Sequence, residues 1–274
     1  MRRSTRFLAL FGAVIVVYAV GGYLVSIPHG ARTAIKCALP ILLLLSAHAC
    51  ARFERLRPWR PASIALLAAS CGFLAAWLLS GRIVAVLGVG TRSVSGIALA
   101  KLTDSVLIVA AALLVARAGG MTTADLYLQR GRWRAWLPIG LAAFGIFAAL
   151  FLWQCAGQGI SRGELLAALP WIVLFVAANG FMEEFHFRGL LLRPFGGLLG
   201  QGGANACIAL AFTVMHAPAT YVPDIVPFLA VLLVLAWAWG LLIQRTDSLW
   251  GAVLFHAGAD LLVVQAILMP AGAP

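Results

Sequence analysis

Apolar runs of 15 to 25 residues recur from one end of this 274-residue chain to the other. A helix needs about 20 such residues to cross a bilayer, and only helices or closed barrels satisfy their backbone polar groups in lipid. The runs fall at 7–27, 33–51, 62–80, 94–116, 135–154, 165–191, 203–217, 224–244 and 249–269. They predict an all-α, polytopic transmembrane helical bundle of about eight to nine membrane segments, the seventh of them short. Composition agrees: 63% of residues are hydrophobic and 11% charged, against roughly 45–50% and 25% in a soluble domain. No polar linker divides the chain, and there is no internal repeat.

The net charge of +11 does not form a nucleic-acid patch, because the basic residues sit in short connections between apolar runs. Counted on alternate sides, one side collects Arg2, Arg3, Arg6, Arg52, Arg55, Arg57, Arg60, Arg117, Arg130, Arg132, Arg134, Arg188, Arg193 and Arg245. The other collects Arg32, Lys36, Arg82, Arg92 and Arg162, with Lys101 inside a span. The positive-inside rule then predicts a multi-pass protein of the cell membrane with a cytoplasmic N-terminus. The first apolar run is too long for a secretory signal and lacks a small-x-small cleavage site, so it is expected to be retained. Residues 121–136 (MTTADLYLQRGRWRAW) are the one long polar stretch and read as an interfacial helix or loop. The five cysteines lie in apolar segments without CxxC spacing and read as small buried hydrophobes.

Ionisable groups inside lipid mark a site by default. Three of nine acids (Glu183, Glu184 and Asp260) and three of five histidines (His186, His216 and His256) fall within late apolar segments. Each ionised acid at mid-membrane costs roughly 2.5–3.5 kcal/mol on the insertion scale, which a structural role rarely justifies. Glu184 and Arg188 are four apart and share a helix face, so an ion pair is expected. Glu183 points about 100° away and is free to face a cavity as a general base for water. Phe212 and His216, then His256 and Asp260, repeat the four-residue spacing on two further segments. His186 reads as packing, or as a group supporting the site from behind.

These residues resemble the motifs of the CAAX-protease and bacteriocin-processing (CPBP, or Abi) family of intramembrane proteases: EExxxR as Glu183-Glu184-Phe185-His186-Phe187-Arg188, FxxxH as Phe212 to His216, and HxxxN/D as His256 to Asp260. Phe187-Arg188-Gly189-Leu190-Leu191 and the stretch from Gly240 to His256 are also similar, so the resemblance covers about 165–265. The apolar runs and charge predict N-terminal transmembrane helices over 1–134, with the basic interfacial segment near 121–134, and the resemblance implies a catalytic helical core over 135–274. It further implies intramembrane hydrolysis of a peptide bond in a membrane-associated protein or peptide. Glu183 and His216 would activate water, His256 and Asp260 would stabilise the oxyanion, and Glu184 and Arg188 would brace the first motif. The family's frequent Asn is Asp260 here, and an ionised Asp cannot donate to an oxyanion. Asp260 is therefore expected to orient His256, which donates.

Glu183, His216 and His256 also form a plausible zinc set, although HExxH is absent and a metal-free glutamate mechanism uses the same residues. A proton-coupled transporter, or a non-catalytic scaffold or immunity protein, would carry buried acids too. One difficulty is depth. In straight parallel spans with the expected limits, His216 lies roughly 20 Å above the cytoplasmic side and His256 about 10 Å above it, while Glu183 lies near the cytoplasmic end. A tilted or re-entrant seventh segment, or a break near Asn179-Gly180, would bring them together.

Overall fold

The protein is described by a computed structural model covering residues 2–22, 28–90, 93–220 and 222–268. The end of the expected first span (23–27), Arg92 and residue 269 of the expected last span lie outside the described residues. Among the described residues, ten α-helical segments occur in order: α1 (Arg3–Ile15), α2 (His29–Arg52), α3 (Arg60–Val86), α4 (Val94–Ala118), α5 (Trp133–Gly157), α6 (Arg162–Glu183), α7 (Leu190–Leu199), α8 (Gln201–Met215), α9 (Ile225–Thr246) and α10 (Trp250–Leu268). A π turn, Glu184–Gly189, joins α6 to α7, and another, Val16–Val20, extends α1. No strand occurs among the described residues.

Among the described residues, seven helices are long and apolar enough to cross a membrane, and two shorter apolar helices, Gln201–Met215 and Trp250–Val264, accompany them. Large apolar side chains such as Ile41, Leu45, Leu114, Ile146, Trp153 and Val234 stay exposed on the outside of the bundle. In water that shell would be a liability, and in lipid it is the expected outer face. The chain is thus a polytopic helical membrane bundle.

Local chemistry sets the helix ends. Ser161 and Glu164 form a reciprocal capping box that starts α6, and Ser93 and Asp224 cap α4 and α9 through their side chains. These contacts satisfy amide groups left unpaired in a first turn. Gly200 (φ 73°) makes the turn between α7 and α8, in a conformation that side chains with a Cβ rarely adopt. Residues 121–132 form an ordered loop rather than a helix. Tyr127 O accepts from Leu249 N at 2.9 Å, Arg132 N donates to Thr246 O at 2.7 Å, and Ser248 Oγ donates to Gln129 O at 2.9 Å. The loop therefore straps the turn between α9 and α10. Within it, the backbone N–H and hydroxyl of Thr122 donate to Asp125 and hold its carboxyl below the usual carboxylate range.

Helix length brings the groups together without a break at Asn179-Gly180, where α6 is continuous. The sixth segment does not stop at 191. It runs as one 38-residue helical stretch from Arg162 to Leu199, which leaves Glu183 and Glu184 in mid-helix. Pro194 and the pair Gly196-Gly197 disguise the continuation in the sequence. Burial of Leu190, Leu191, Leu192, Phe195 and Leu198 sustains it. Glu184 lies sixteen residues before Gly200 and His216 sixteen after, so the α7–α8 hairpin brings them to one level. Rings of Phe187 and Phe212, 4.9 Å apart, confirm that the two arms are in register.

A second marker levels α10. Arg193 pairs with Asp247 at the basic end of the bundle. Glu184 is nine residues from Arg193 on one helical stretch, about 13 Å inward at 1.5 Å per residue, and His256 lies nine residues beyond Asp247, whose turn leads into α10. Arg3 joins the same end by donating to Leu199 O.

Candidate active site

Glu184 is the hub of the buried cluster. Its Oε1 accepts from Arg188 Nη1 at 2.6 Å and from His256 Nδ1 at 2.7 Å, and the side chains of Glu184 and Arg188 are fully buried. The four-residue spacing survives the intervening π turn, a feature frequent at functional sites. Arg188 is held on its other sides: Nη2 donates to Ala236 O at 3.3 Å, and the guanidinium lies 4.6 Å from the Phe212 ring centre and 5.2 Å from that of Trp239. A charge removed from water is tolerated when paired and hydrogen-bonded in this way.

His256 is fixed on both faces and at both nitrogens. Trp239 stacks on it at 4.1 Å and 7°, while Phe212 meets it edge-on at 5.7 Å. Its Nε2 lies 3.6 Å from Glu183 Oε2 and 3.5 Å from Asp260 Oδ1. Asp260 in turn accepts from Asn179 Nδ2 at 2.9 Å. The expected order of support is therefore altered: Glu184 grips Nδ1, and Asp260 stands beside Nε2, tethered to α6 by Asn179. With Nδ1–H committed to Glu184, donation from Nε2 as well requires the imidazolium form.

Glu183 and His216 line one cavity of about 120 Å³, together with Tyr18, Phe73, Met182, His186, Phe187 and Met215. Glu183 Oε2 is buried without a hydrogen-bond partner, on the side of His256. His216 Nδ1 donates to Phe212 O at 2.9 Å, which leaves Nε2 of a neutral ring with its lone pair. His216 also lines a second cavity, of about 150 Å³, with His256, Asp260, Trp239 and an apolar wall that includes Phe147, Phe228, Val231 and Leu235. The imidazole of His216 thus separates two chambers.

His186 turns away from the carboxylates. It donates through Nε2 to Ala69 O on α3 at 3.1 Å and packs edge-on against Phe73 at 4.6 Å. As for zinc, no group of three His, Cys, Asp or Glu is arranged to hold a metal ion among the described residues. Glu183, His216 and His256 line the two cavities without converging as a ligand set.

Three participants escaped sequence reasoning. Asn179 lies one turn before Glu183, and an amide at that depth was a usable signal. Trp239 sat inside an apolar run, where an aromatic reads as lipid-facing or core; its indole N–H is buried without a partner. Tyr18 belongs to the first helix and had no local mark.

No curated protein and no solved structure matches the chain. The family described as Rce1-like, type II CAAX prenyl endopeptidase Rce1-like, matches residues 165–262, which span α6 through most of α10 and hold all six expected site residues. Over that stretch, about a third of the chain, the sequence is similar to the Rce1-like type II CAAX prenyl endopeptidase family.

Proposed function

We propose that the protein is an intramembrane endopeptidase that hydrolyses a peptide bond in a membrane-associated substrate, using water activated by Glu183 and His216. The family match supports the protease reading. The single observation that carries the mechanism is the 120 Å³ cavity that Glu183 and His216 line together, with the Nε2 side of His216 left to accept. A water occupies about 30 Å³ in the liquid, so the chamber has room for the nucleophile. Glu183 takes its proton as the oxygen attacks the carbonyl carbon, while His216 accepts its second hydrogen bond.

The negative charge then develops on the carbonyl oxygen beside His256. Its imidazolium donates from Nε2 to that oxygen, and Glu184, charged and braced by Arg188, holds Nδ1. Asp260 and Glu183 offset the positive charge of the ring. Glu183 finally delivers the proton to the leaving amine, restoring the carboxylate. The apolar wall of the neighbouring 150 Å³ cavity suits an apolar substrate side chain. The basic end, with Arg3, Arg193 and Arg245, faces the cytoplasm of a cell-membrane protein.

Comparative terminal proteomics of membranes carrying wild-type or Glu183→Ala protein tests this reading. New peptide termini are expected with the wild type, and their formation falls at least ~100-fold in the variant, the usual scale for a lost general base. Identical terminal profiles at equal expression would overturn the protease assignment. Elemental analysis of wild-type and His216→Ala protein is expected to show no stoichiometric zinc in either.

A further inference from the structure

The N-terminal helix lies outside the family match, yet it reaches the reacting groups. Tyr18, in the π turn that extends α1, is 2% exposed. Its hydroxyl donates to the backbone oxygen of His186 at 2.5 Å, across 168 residues of sequence. His186 belongs to the second π turn, the one that begins immediately after Glu183. The Tyr18 ring packs 4.3 Å from Phe187 and 4.9 Å from His186, and it lines the same cavity as Glu183 and His216.

A π turn widens the helix by one residue and departs from the regular i→i−4 pattern of carbonyl use. Its geometry is softer than that of the flanking α-helix, and the direction of Glu183 depends on it. A hydrogen bond from outside the helix to a carbonyl within the turn restricts that freedom. The bond comes from an element clamped independently at the basic end, where Arg3 and Arg6 donate to Leu199 O and Leu198 O. Helix α1 is thus tied to the α6–α7 stretch at two levels, its end and its catalytic turn.

We infer that Tyr18 is a positioning residue of the proposed protease centre: through its bond to His186 O it fixes the π turn and aims the Glu183 carboxylate into the water cavity. The inference rests on the proteolytic reading for its kinetic consequence, though not for its geometric one. Tyr18 acts through the turn and does not need to touch substrate.

The test uses the full-length protein in detergent or lipid, with two variants and two readouts. Tyr18→Phe removes the hydroxyl alone, and replacement of Tyr18 by 4-aminophenylalanine returns an N–H donor at the same place. Kinetically, Tyr18→Phe is expected to lower kcat about tenfold, the scale of one buried hydrogen bond, with KM within about twofold, and 4-aminophenylalanine restores much of the loss. The second readout is independent of cleavage: the rate at which Glu183 is modified by a hydrophobic carbodiimide, read by mass spectrometry of the peptide containing it. That rate shifts in Tyr18→Phe and returns towards wild type with 4-aminophenylalanine. Wild-type labelling of Glu183 in Tyr18→Phe overturns the inference, whatever the activity. A wild-type protein that cleaves nothing counts instead against the proteolytic reading and leaves the labelling comparison standing.

Discussion

Glu184 shows how one residue's partners divide into those a sequence displays and those it hides. Its pairing with Arg188 is legible because four residues on a helix make neighbours. Its grip on His256 is not, since the two lie 72 residues apart and meet only when α6 and α10 pack. The same blindness left Glu184 out of the support of His256, for which the HxxxD spacing offered only Asp260, itself 3.5 Å from Nε2. Two substitutions separate these roles. Glu184→Gln leaves Arg188 buried without a counter-charge and is expected to cost about 3–5 kcal/mol of stability, read as a large fall in thermal midpoint together with loss of cleavage. Asp260→Asn keeps an oxygen for Asn179 and leaves Nδ1 of His256 bound to Glu184. Its cleavage rate is expected to stay within about tenfold of wild type. A loss comparable to that of Glu183→Ala would restore a carboxylate requirement at position 260.

At the scale of elements, close packing sets the site's dimensions. Gly180 on α6 faces α10, where an added Cβ would sit 3.1 Å from Ala257 N, next to His256. Gly258, two residues beyond His256, faces α5, and a Cβ there would lie 2.7 Å from Phe144 Cα. Backbone cannot yield to that contact as a flexible side chain would. Small residues permit this approach where helices associate without a hydrophobic drive between them. Gly258→Val is therefore expected to destabilise by about 1–3 kcal/mol, the range for overpacking, and to lower cleavage by moving α10. Thermal unfolding monitored beside activity checks it, and an unchanged midpoint would show that α5 moves aside freely. The small residues between His256 and Asp260 were readable as a packing surface; their partner helix was not. Helix limits were the least legible feature. Pro194 and Gly196-Gly197 carry the chemistry of a terminus, but tertiary burial of the leucines around them outweighs that propensity.

For the whole molecule, lipid made the architecture readable, because only helices or closed barrels cross it and continuous apolar runs of this length read as helices. The order of the bundle was not readable, since every long helix is apolar and no side chain in α1 announces that it reaches His186. The spacing of Glu184 and His216 about Gly200, and of Glu184 and His256 from the Arg193–Asp247 pair, bears on how this chain tolerates change in length. All three groups are levelled from the basic end, so lengthening is penalised on one side only. A single residue inserted between Leu190 and Arg193 rotates Glu184 by about 100° and lifts it about 1.5 Å relative to α8 and α10, and is expected to abolish cleavage. Several residues inserted after Gly159, in the α5–α6 connection at the other end, leave those intervals untouched, and cleavage in the same assay is expected to persist. Among natural variants of such a chain, loops of unequal length would then gather at the far face, while the basic face keeps its count.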